Sequence, residues 1–149
     1  MSARAYDRLS VSLAAAGLGI SAYLTLLHYD SDVPLVCSAG SFVNCESVLT
    51  SASSIALGVP VAVWGLLWFV VALALALVSL RCPPPSKPAG LPIAGLAWAL
   101  VGTVAVLWLV YQEVGIVGRL CAWCTAVHVI VLALLVVAIQ QADRATGRA

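Results

Sequence analysis

Charged residues divide the chain into long apolar stretches that are separated by short polar segments. Four of these stretches are long enough to cross a bilayer, which takes about 20 apolar residues in a helix. The expected spans cover about residues 8–29, 58–80, 89–112 and 120–141. The pattern predicts an all-α fold class. We expect residues 1–149 to form a single domain, an integral membrane four-helix bundle with a long loop between helices 1 and 2.

Composition agrees with this pattern and argues against other classes of protein. The chain is 63% hydrophobic and 9% charged, whereas a soluble domain has about a quarter of charged residues. Its net charge of +1 offers no clustered basic face, so we expect no nucleic-acid partner. The lipid bilayer is the expected surrounding.

The basic residues predict how the spans are oriented, because Lys and Arg favour cytoplasmic flanks. With the N-terminus inside, only Arg119 of the 7 basic residues lies outside the cytoplasm. The cytoplasmic ones are then Arg4, Arg8, Arg81, Lys87, Arg144 and Arg148. We therefore expect a multi-pass protein of the plasma or inner membrane, with both termini cytoplasmic and the long loop extracytoplasmic.

The 5 cysteines sort by side in this topology. Cys37 and Cys45 lie in the first outer loop, and Cys121 and Cys124 lie at the outer end of the fourth span. Cys82 lies on the cytoplasmic side. Because thiols outside the cytoplasm meet an oxidising environment, the outer cysteines are the candidates for redox chemistry. Cys82 is interpreted as a bystander.

Three interpretations of the outer cysteines remain open. Structural disulfides would add little to a bundle that lipid and packing already hold. A tetrahedral zinc site could use four thiolates, but Cys37 and Cys45 are spaced more widely than usual ligands, and zinc leaves His128 unused. Thiol–disulfide exchange needs accessible thiols that can meet and that differ in pKa. Exchange is the favoured interpretation, and no metal is expected.

The segment LCAWCTAVH places a dithiol above a histidine on one helical face, because residues three, four and seven apart share a face. Cys121 is expected in the first turn, where unpaired amides stabilise a thiolate. Cys124 and His128 follow toward the apolar interior. This order suits electron exchange with a lipid-soluble quinone whose carbonyl accepts a hydrogen bond from His128; the alternative is that His128 bonds a neighbouring helix. His28 is expected at a solvated helix end.

The outer loop contains a second predicted helix. Asn44 is a plausible N-cap for a short helix that begins near Cys45. The following ESVLTSASSIALG is expected on the outer membrane surface or dipping into it, and Cys37 lies among Ser, Gly and Pro, where movement is easy. Trp64 and Trp68 are candidates to line a quinone pocket, with packing as the alternative.

These motifs resemble the vitamin K epoxide reductase family. The resemblance rests on the Cys-x7-Cys pair of the loop, the pattern CESVLTS, the segment GVPVAVWG at the second span, and the CxxC that opens the fourth span. It extends from SAYLTLLHY to VHVIVLALL, almost the whole chain.

The resemblance implies a catalytic role for each outer cysteine. Cys124 would react with the quinone, and Cys121 would exchange with Cys45. Cys37 would complete the loop pair that accepts electrons from outside.

The resemblance also implies quinone-binding residues, with one departure. Ser51 matches the family serine that follows the second loop cysteine, and His128 falls where animal relatives have a tyrosine that bonds the quinone. Those relatives also have an asparagine in the second span. Here Val61 lies near that position, so we expect less efficient epoxide reduction.

The implied function is a quinone-dependent thiol oxidoreductase that promotes extracytoplasmic disulfide formation, with menaquinone or ubiquinone as electron acceptor. Many bacterial relatives carry a fused thioredoxin-like domain. This sequence ends in QQADRATGRA, so we expect a separate thioredoxin-fold (DsbA-like) partner outside the cytoplasm. The alternatives are a thiol-driven reductase of quinone or quinone epoxide and, among non-enzymes, a small transporter or metal-binding membrane protein.

Overall fold

The fold was analysed in a computed structural model. It describes residues 2–30, 32–37, 43–82, 86–88 and 90–147. Arg148, one of the expected cytoplasmic flanks, lies outside the described residues.

Four long helices form the bundle, and each is long and apolar enough to cross a membrane. They are α1 (Ala3–Tyr29), α3 (Val61–Arg81), α4 (Gly90–Tyr111) and α5 (Ala122–Ala145). A π-helical segment, Gln112–Val117, continues α4. The predicted all-α, four-helix membrane fold is confirmed.

The loop between the first two long helices contains short elements of its own. They are the helix α2 (Cys45–Leu49), a 3-10 turn (Ala52–Ser54) and two antiparallel strands, β1 (Ile55–Ala56) and β2 (Val59–Pro60). The two residues between the strands, Leu57 and Gly58, both have positive φ angles, of 55° and 78°. Positive φ at both central positions is the geometry of a tight two-residue hairpin turn. The hairpin brings the chain directly into α3.

Small residues allow the helices to approach closely. The ring of Phe69 lies against Gly17 of α1, and the indole of Trp68 lies against Gly102 of α4, so that a Cβ atom at either glycine would overlap the ring. Close packing at small residues is a main source of attraction between helices in lipid, where burial from water contributes little. Phe69 also forms the centre of an apolar cluster with Val106.

A buried network of ionic and hydrogen-bonding contacts lies at one end of the bundle. Asp7 of α1 is only 2% exposed and pairs with Lys87, whose Nζ lies 3.0 Å from a carboxylate oxygen. Ser79 of α3 and Gln141 of α5 donate further hydrogen bonds to Asp7, at 2.7 and 2.8 Å. The network therefore ties α1, α3 and α5 to the linker that precedes α4.

Candidate functional site

The cysteines of the loop form a disulfide at the opposite end of the bundle. Cys37 and Cys45 are bonded, with their Cα atoms 6.2 Å apart. Cys45 is buried, whereas Cys37 is half-buried. The loop disulfide therefore joins a half-buried residue to a fully buried one.

Two backbone contacts fix Cys45 beside the start of α5. Val43 forms a parallel β-bridge with Leu120, and the Asn44 amide donates to the Leu120 carbonyl at 3.0 Å. Asn44 is also the N-cap of α2, as predicted, since its side chain accepts from the Ser47 amide at 3.1 Å. As a result Cys45 and Cys121, which are 1% and 0% exposed, share one buried cluster.

The segment that leads to Cys37 is anchored on two long helices. The Tyr23 hydroxyl of α1 donates to the Pro34 carbonyl at 2.9 Å and accepts from the Val36 amide at 3.2 Å. The Trp123 indole of α5 donates to the Val36 carbonyl at 2.8 Å. The expected ease of movement therefore does not extend to these residues before Cys37, and residues 38–42 lie outside the described part of the chain.

Cys121 and Cys124 are free thiols at the N-terminus of α5. Cys121 is the N-cap, one residue before the first turn in which it was expected, and its sulfur accepts from the Cys124 amide at 3.4 Å. The pKa of Cys121 is lowered, chiefly by the hydrogen bond from the Cys124 thiol and further by the backbone amides of Cys124 and Trp123. Burial and the charge of Glu113 act in the opposite direction. Cys121 is thus the better stabilised thiolate, which agrees with the prediction.

Glu113 is a part of this site that the sequence analysis missed. Its carboxylate comes from the π-helical segment and is buried between the two cysteines and the bundle. Its Oε2 accepts from the Cys121 amide at 3.5 Å, and the carboxylate interacts electrostatically with the Cys124 thiol. The sequence contains one sign, an acidic residue close to the end of a span, but exposed charges are common at that position.

A cavity of about 500 Å³ opens beneath the cysteines. Predicted quinone-site residues converge on it: Ser51, Trp64, Trp68 and His128 line the wall, as does Cys124. Ligand pockets typically measure about 300–1,000 Å³ and are mostly apolar with a few polar groups, as this one is. The cavity therefore fits a flat, apolar molecule such as a quinone.

The N–H groups of three tryptophans that line the cavity are already bonded within the protein. Trp64 donates to the Ala56 carbonyl at 3.1 Å. Trp68 donates to the Trp98 carbonyl at 3.3 Å, and Trp98 donates back to the Trp68 carbonyl at 3.1 Å. These indoles are suited to stack on an aromatic ligand and not to bind its carbonyls.

His128 differs from the other polar residues of the wall. The Ser51 hydroxyl already donates to the Val48 carbonyl at 2.7 Å. The His128 ring is 6% exposed, and within the described ranges the structure gives it no hydrogen-bonding partner from the protein. His28 is exposed at the end of α1, as expected, and borders the same cavity. Of the two imidazoles at the wall, the buried one, that of His128, is positioned to bond a ligand.

Cys82 lies far from this site, and the geometry of the site disfavours zinc binding. Cys82 follows the last residue of α3, about 30 Å along that helix from the site. Cys37 and Cys45 are bonded to each other, which removes two of the four thiolates that zinc would need. Among the described residues, no group of three or more His, Cys, Asp or Glu side chains could hold a metal ion.

Comparison with known families agrees with this arrangement. The model of the family described as "Vitamin K epoxide reductase family" matches residues 8–139, most of the chain. The matched region includes all four cysteines of the site and the residues that line the cavity. The chain therefore belongs to the vitamin K epoxide reductase family, a family of oxidoreductases whose members act on quinones.

Proposed function

We propose that the chain is a thiol:quinone oxidoreductase of the plasma or inner membrane. It passes electrons from a reduced thioredoxin-fold partner, through the loop cysteines and the CxxC pair, to menaquinone or ubiquinone. The result is disulfide formation outside the cytoplasm. One observation carries the proposal: the four cysteines lie together. Cys37 is bonded to Cys45, Cys45 and Cys121 share one buried cluster, and Cys124 packs against that cluster and lines the cavity.

The first step is attack by a partner thiolate on the loop disulfide. The accessibility of Cys37 supports attack on its sulfur, which breaks the bond to Cys45 and forms a mixed disulfide with the partner. The second partner thiol then displaces Cys37. The partner leaves with a disulfide, and the loop holds two thiols.

The second step moves the electrons inward. Cys45 attacks Cys121 when the CxxC pair is oxidised, and Cys124 leaves as a thiolate. Cys37 then displaces Cys121 from Cys45 and restores the loop disulfide. The close burial of Cys45 and Cys121 in one cluster supports this order. A loop disulfide with free Cys121 and Cys124, the state in the structure, corresponds to the end of this step.

The third step reduces the quinone. The two thiols of the CxxC pair give up two electrons and two protons, a disulfide forms between them, and the quinone becomes a quinol. Cys124 is the reacting thiol, since it lines the cavity, and His128 donates a hydrogen bond to a quinone carbonyl.

The proposed orientation keeps both termini in the cytoplasm and the cysteine site outside. The bias of basic residues supports it. A membrane-impermeant maleimide, applied to intact cells after reduction, should then label Cys37 and not Cys82.

The alternative functions have less support. Val61 lines the cavity near the position where animal relatives have an asparagine, which argues against efficient reduction of a quinone epoxide. A transporter gives no reason for four converging cysteines, and the bond between Cys37 and Cys45 removes two of the thiolates that a metal-binding protein would use.

Anaerobic mixing tests the proposal. The purified, detergent-solubilised chain is combined with a reduced thioredoxin-fold protein and with menaquinone or ubiquinone, while quinone absorbance and free thiols are followed. Thiols should be lost and quinol formed in stoichiometric proportion. If thiol loss depends on neither quinone, the proposed function is wrong.

A further inference from the structure

Glu113 is a buried ionisable residue at the point where the cysteines meet the cavity. It is 5% exposed in a chain whose surroundings are largely apolar. An ionisable side chain in such a place is costly to desolvate, and within membrane proteins it usually marks a functional site. Its position therefore calls for a role in the chemistry.

The backbone around Glu113 holds the carboxylate in place. Its carbonyl accepts hydrogen bonds from the amides of Gly118 and Arg119, the latter at 3.1 Å. Gly118 adopts a left-handed conformation with φ of 66°, which ends the π-helical segment. Such segments commonly occur at functional sites because they displace one turn of a helix. Here the displaced turn carries Glu113.

The carboxylate touches a reacting sulfur and also borders the space for the substrate. The Cys124 thiol interacts with it electrostatically, and its Oε2 lies 3.5 Å from the Cys121 amide nitrogen. Glu113, Cys124 and His128 all line the cavity. The same carboxylate can therefore reach a proton on sulfur and an oxygen atom of a molecule in the cavity.

Quinone reduction requires such a group. A thiol must lose its proton before its sulfur can react, because the thiolate is the nucleophile. The cavity is largely apolar, so a carboxylate is better placed than bulk water to take that proton. His128 lies one helical turn further along α5, whereas Glu113 accepts from the amide of the other cysteine and interacts with the Cys124 thiol.

We propose that Glu113 is the catalytic base for Cys124 and the donor of one proton to the quinone. This inference rests on the proposed function. The Cys124 S–H bond breaks and its proton moves to a carboxylate oxygen of Glu113. The disulfide to Cys121 forms, two electrons pass to the quinone, and Glu113 returns the proton to one quinone oxygen. The second quinol proton balances the one that Cys121 gives up.

Other ionisable groups near the Glu113 carboxylate also influence the pH dependence of quinone reduction. Cys121, Cys124 and His128 of α5 surround the site, and His28 of α1 borders the cavity. Glu46 of α2 is exposed. The pH profile of a variant is therefore compared with that of wild type and is not assigned to Glu113 from wild type alone.

The experiment measures a single turnover. Chain with a reduced CxxC pair and an oxidised loop is mixed with quinone, and absorbance is followed over a range of pH. Glu113→Gln should slow quinone reduction by about 10²- to 10⁴-fold at neutral pH, the usual contribution of a positioned base. The deficit should shrink in alkaline solution, where Cys124 ionises without help. Exchange with the thioredoxin-fold partner should be unchanged.

Two variants complete the test. Glu113→Asp keeps a carboxylate and should recover part of the rate and the wild-type shape of the pH profile. Asp32→Asn removes an exposed carboxylate from the outer loop and should match wild type. A rate deficit of Glu113→Gln that is equal at every pH would overturn the proposal. If Glu113→Gln does not fold, the comparison passes to Glu113→Asp, and the wild-type rate in that variant at every pH would overturn it.

Failure of this inference is distinct from failure of the proposed function. A Glu113→Gln protein with wild-type quinone kinetics at all pH values overturns the role of Glu113 and leaves the thiol:quinone activity intact. A wild-type protein that no quinone oxidises overturns the proposed function itself.

Discussion

The two ends of the helix bundle each bury a carboxylate, and the partners of the two carboxylates differ. Asp7 is held by the ammonium group of Lys87, with Ser79 and Gln141 as further donors. Glu113 accepts a hydrogen bond from a backbone amide and interacts electrostatically with a thiol. The partners of Asp7 stay the same throughout a redox cycle, so this network stabilises one arrangement of helices. The thiol beside Glu113 loses its proton whenever the cysteine is oxidised, so the surroundings of Glu113 change during the cycle.

The comparison shows that burial of a charge does not by itself identify an active site. Buried ion pairs usually have a structural effect, since removal of one partner leaves the other charge uncompensated. A carboxylate becomes a candidate for catalysis when its partner is a reactive atom and a cavity lies beside it. Glu113 meets both conditions. Asp7 shares its bonds with an ammonium group, a hydroxyl and an amide.

The largest expected effect is on activity, and it appears when a cysteine is replaced by serine at each end of the bundle in turn. Cys121→Ser should lower quinone-dependent thiol oxidation by at least about 10³-fold, since loss of a covalent catalytic group has effects of this size or larger. Cys82→Ser should retain activity near that of wild type. Turnover of purified variants measures both, and equal losses would contradict the division of the bundle into a redox end and a structural end.

Loss of the cation at the structural end should reduce stability and leave the chemistry intact. Lys87→Met should lower the free energy of unfolding by about 3 kcal/mol, the low end for breaking a buried pair, because Lys87 is 16% exposed. The double variant Asp7→Leu, Lys87→Met should recover much of that loss. Denaturant unfolding in detergent measures the change. Slower quinone reduction by the folded Lys87→Met protein would argue against a purely structural network.

His128 should affect the quinone step alone. A hydrogen bond contributes about 1 kcal/mol, or about 1.5–3 kcal/mol when charge develops on the acceptor, so His128→Ala should slow quinone turnover about 5- to 150-fold. Thiol exchange with the partner should be unaffected. His128→Tyr should recover part of the rate, because a phenol can reach the same carbonyl. Unchanged quinone kinetics in His128→Ala would make the histidine a packing residue and Ser51 the next donor to test.

The smallest expected effect concerns the ionisation of Cys121. Its pKa lies below the ordinary cysteine value chiefly because the Cys124 thiol donates to its sulfur. Cys124→Ala removes that donor, so the pKa of Cys121 should rise and less thiolate should be present at neutral pH. Thiolate ultraviolet absorbance measures the shift, titrated in a background in which Cys37, Cys45 and Cys82 are serine, so that Cys121 has no disulfide partner. A lower or unchanged pKa would show that backbone amides alone stabilise the thiolate.

The overall architecture could be predicted because it depends on local properties of the chain. Charge-free stretches of sufficient length must be helical in lipid, where every backbone group needs a partner within the segment. The N-cap at Asn44 follows from the preference of short polar side chains for that position. The convergence of the cysteines was expected from the family resemblance, since no local pattern specifies a contact between Cys45 and Cys121.

The two buried carboxylates could not be predicted in the same way. In the sequence, Asp7 and Glu113 are acidic residues at the ends of spans, where exposed charges are common. Their burial depends on tertiary partners: Asp7 meets Lys87 and Gln141, which lie 80 and 134 positions away. Glu113 is buried because the π-helical segment and the start of α5 fold against each other. The hairpin before α3 was also missed, since its strands have only two residues each.

The central claim is that Cys45 passes electrons to Cys121, and a trapped intermediate tests it most directly. In Cys124→Ala, Cys121 has lost its partner in the CxxC pair, so a disulfide between Cys45 and Cys121 should accumulate. Mass spectrometry of peptides from the purified variant should find these two cysteines joined. An intact bond between Cys37 and Cys45 in every molecule, with Cys121 free, would contradict the account.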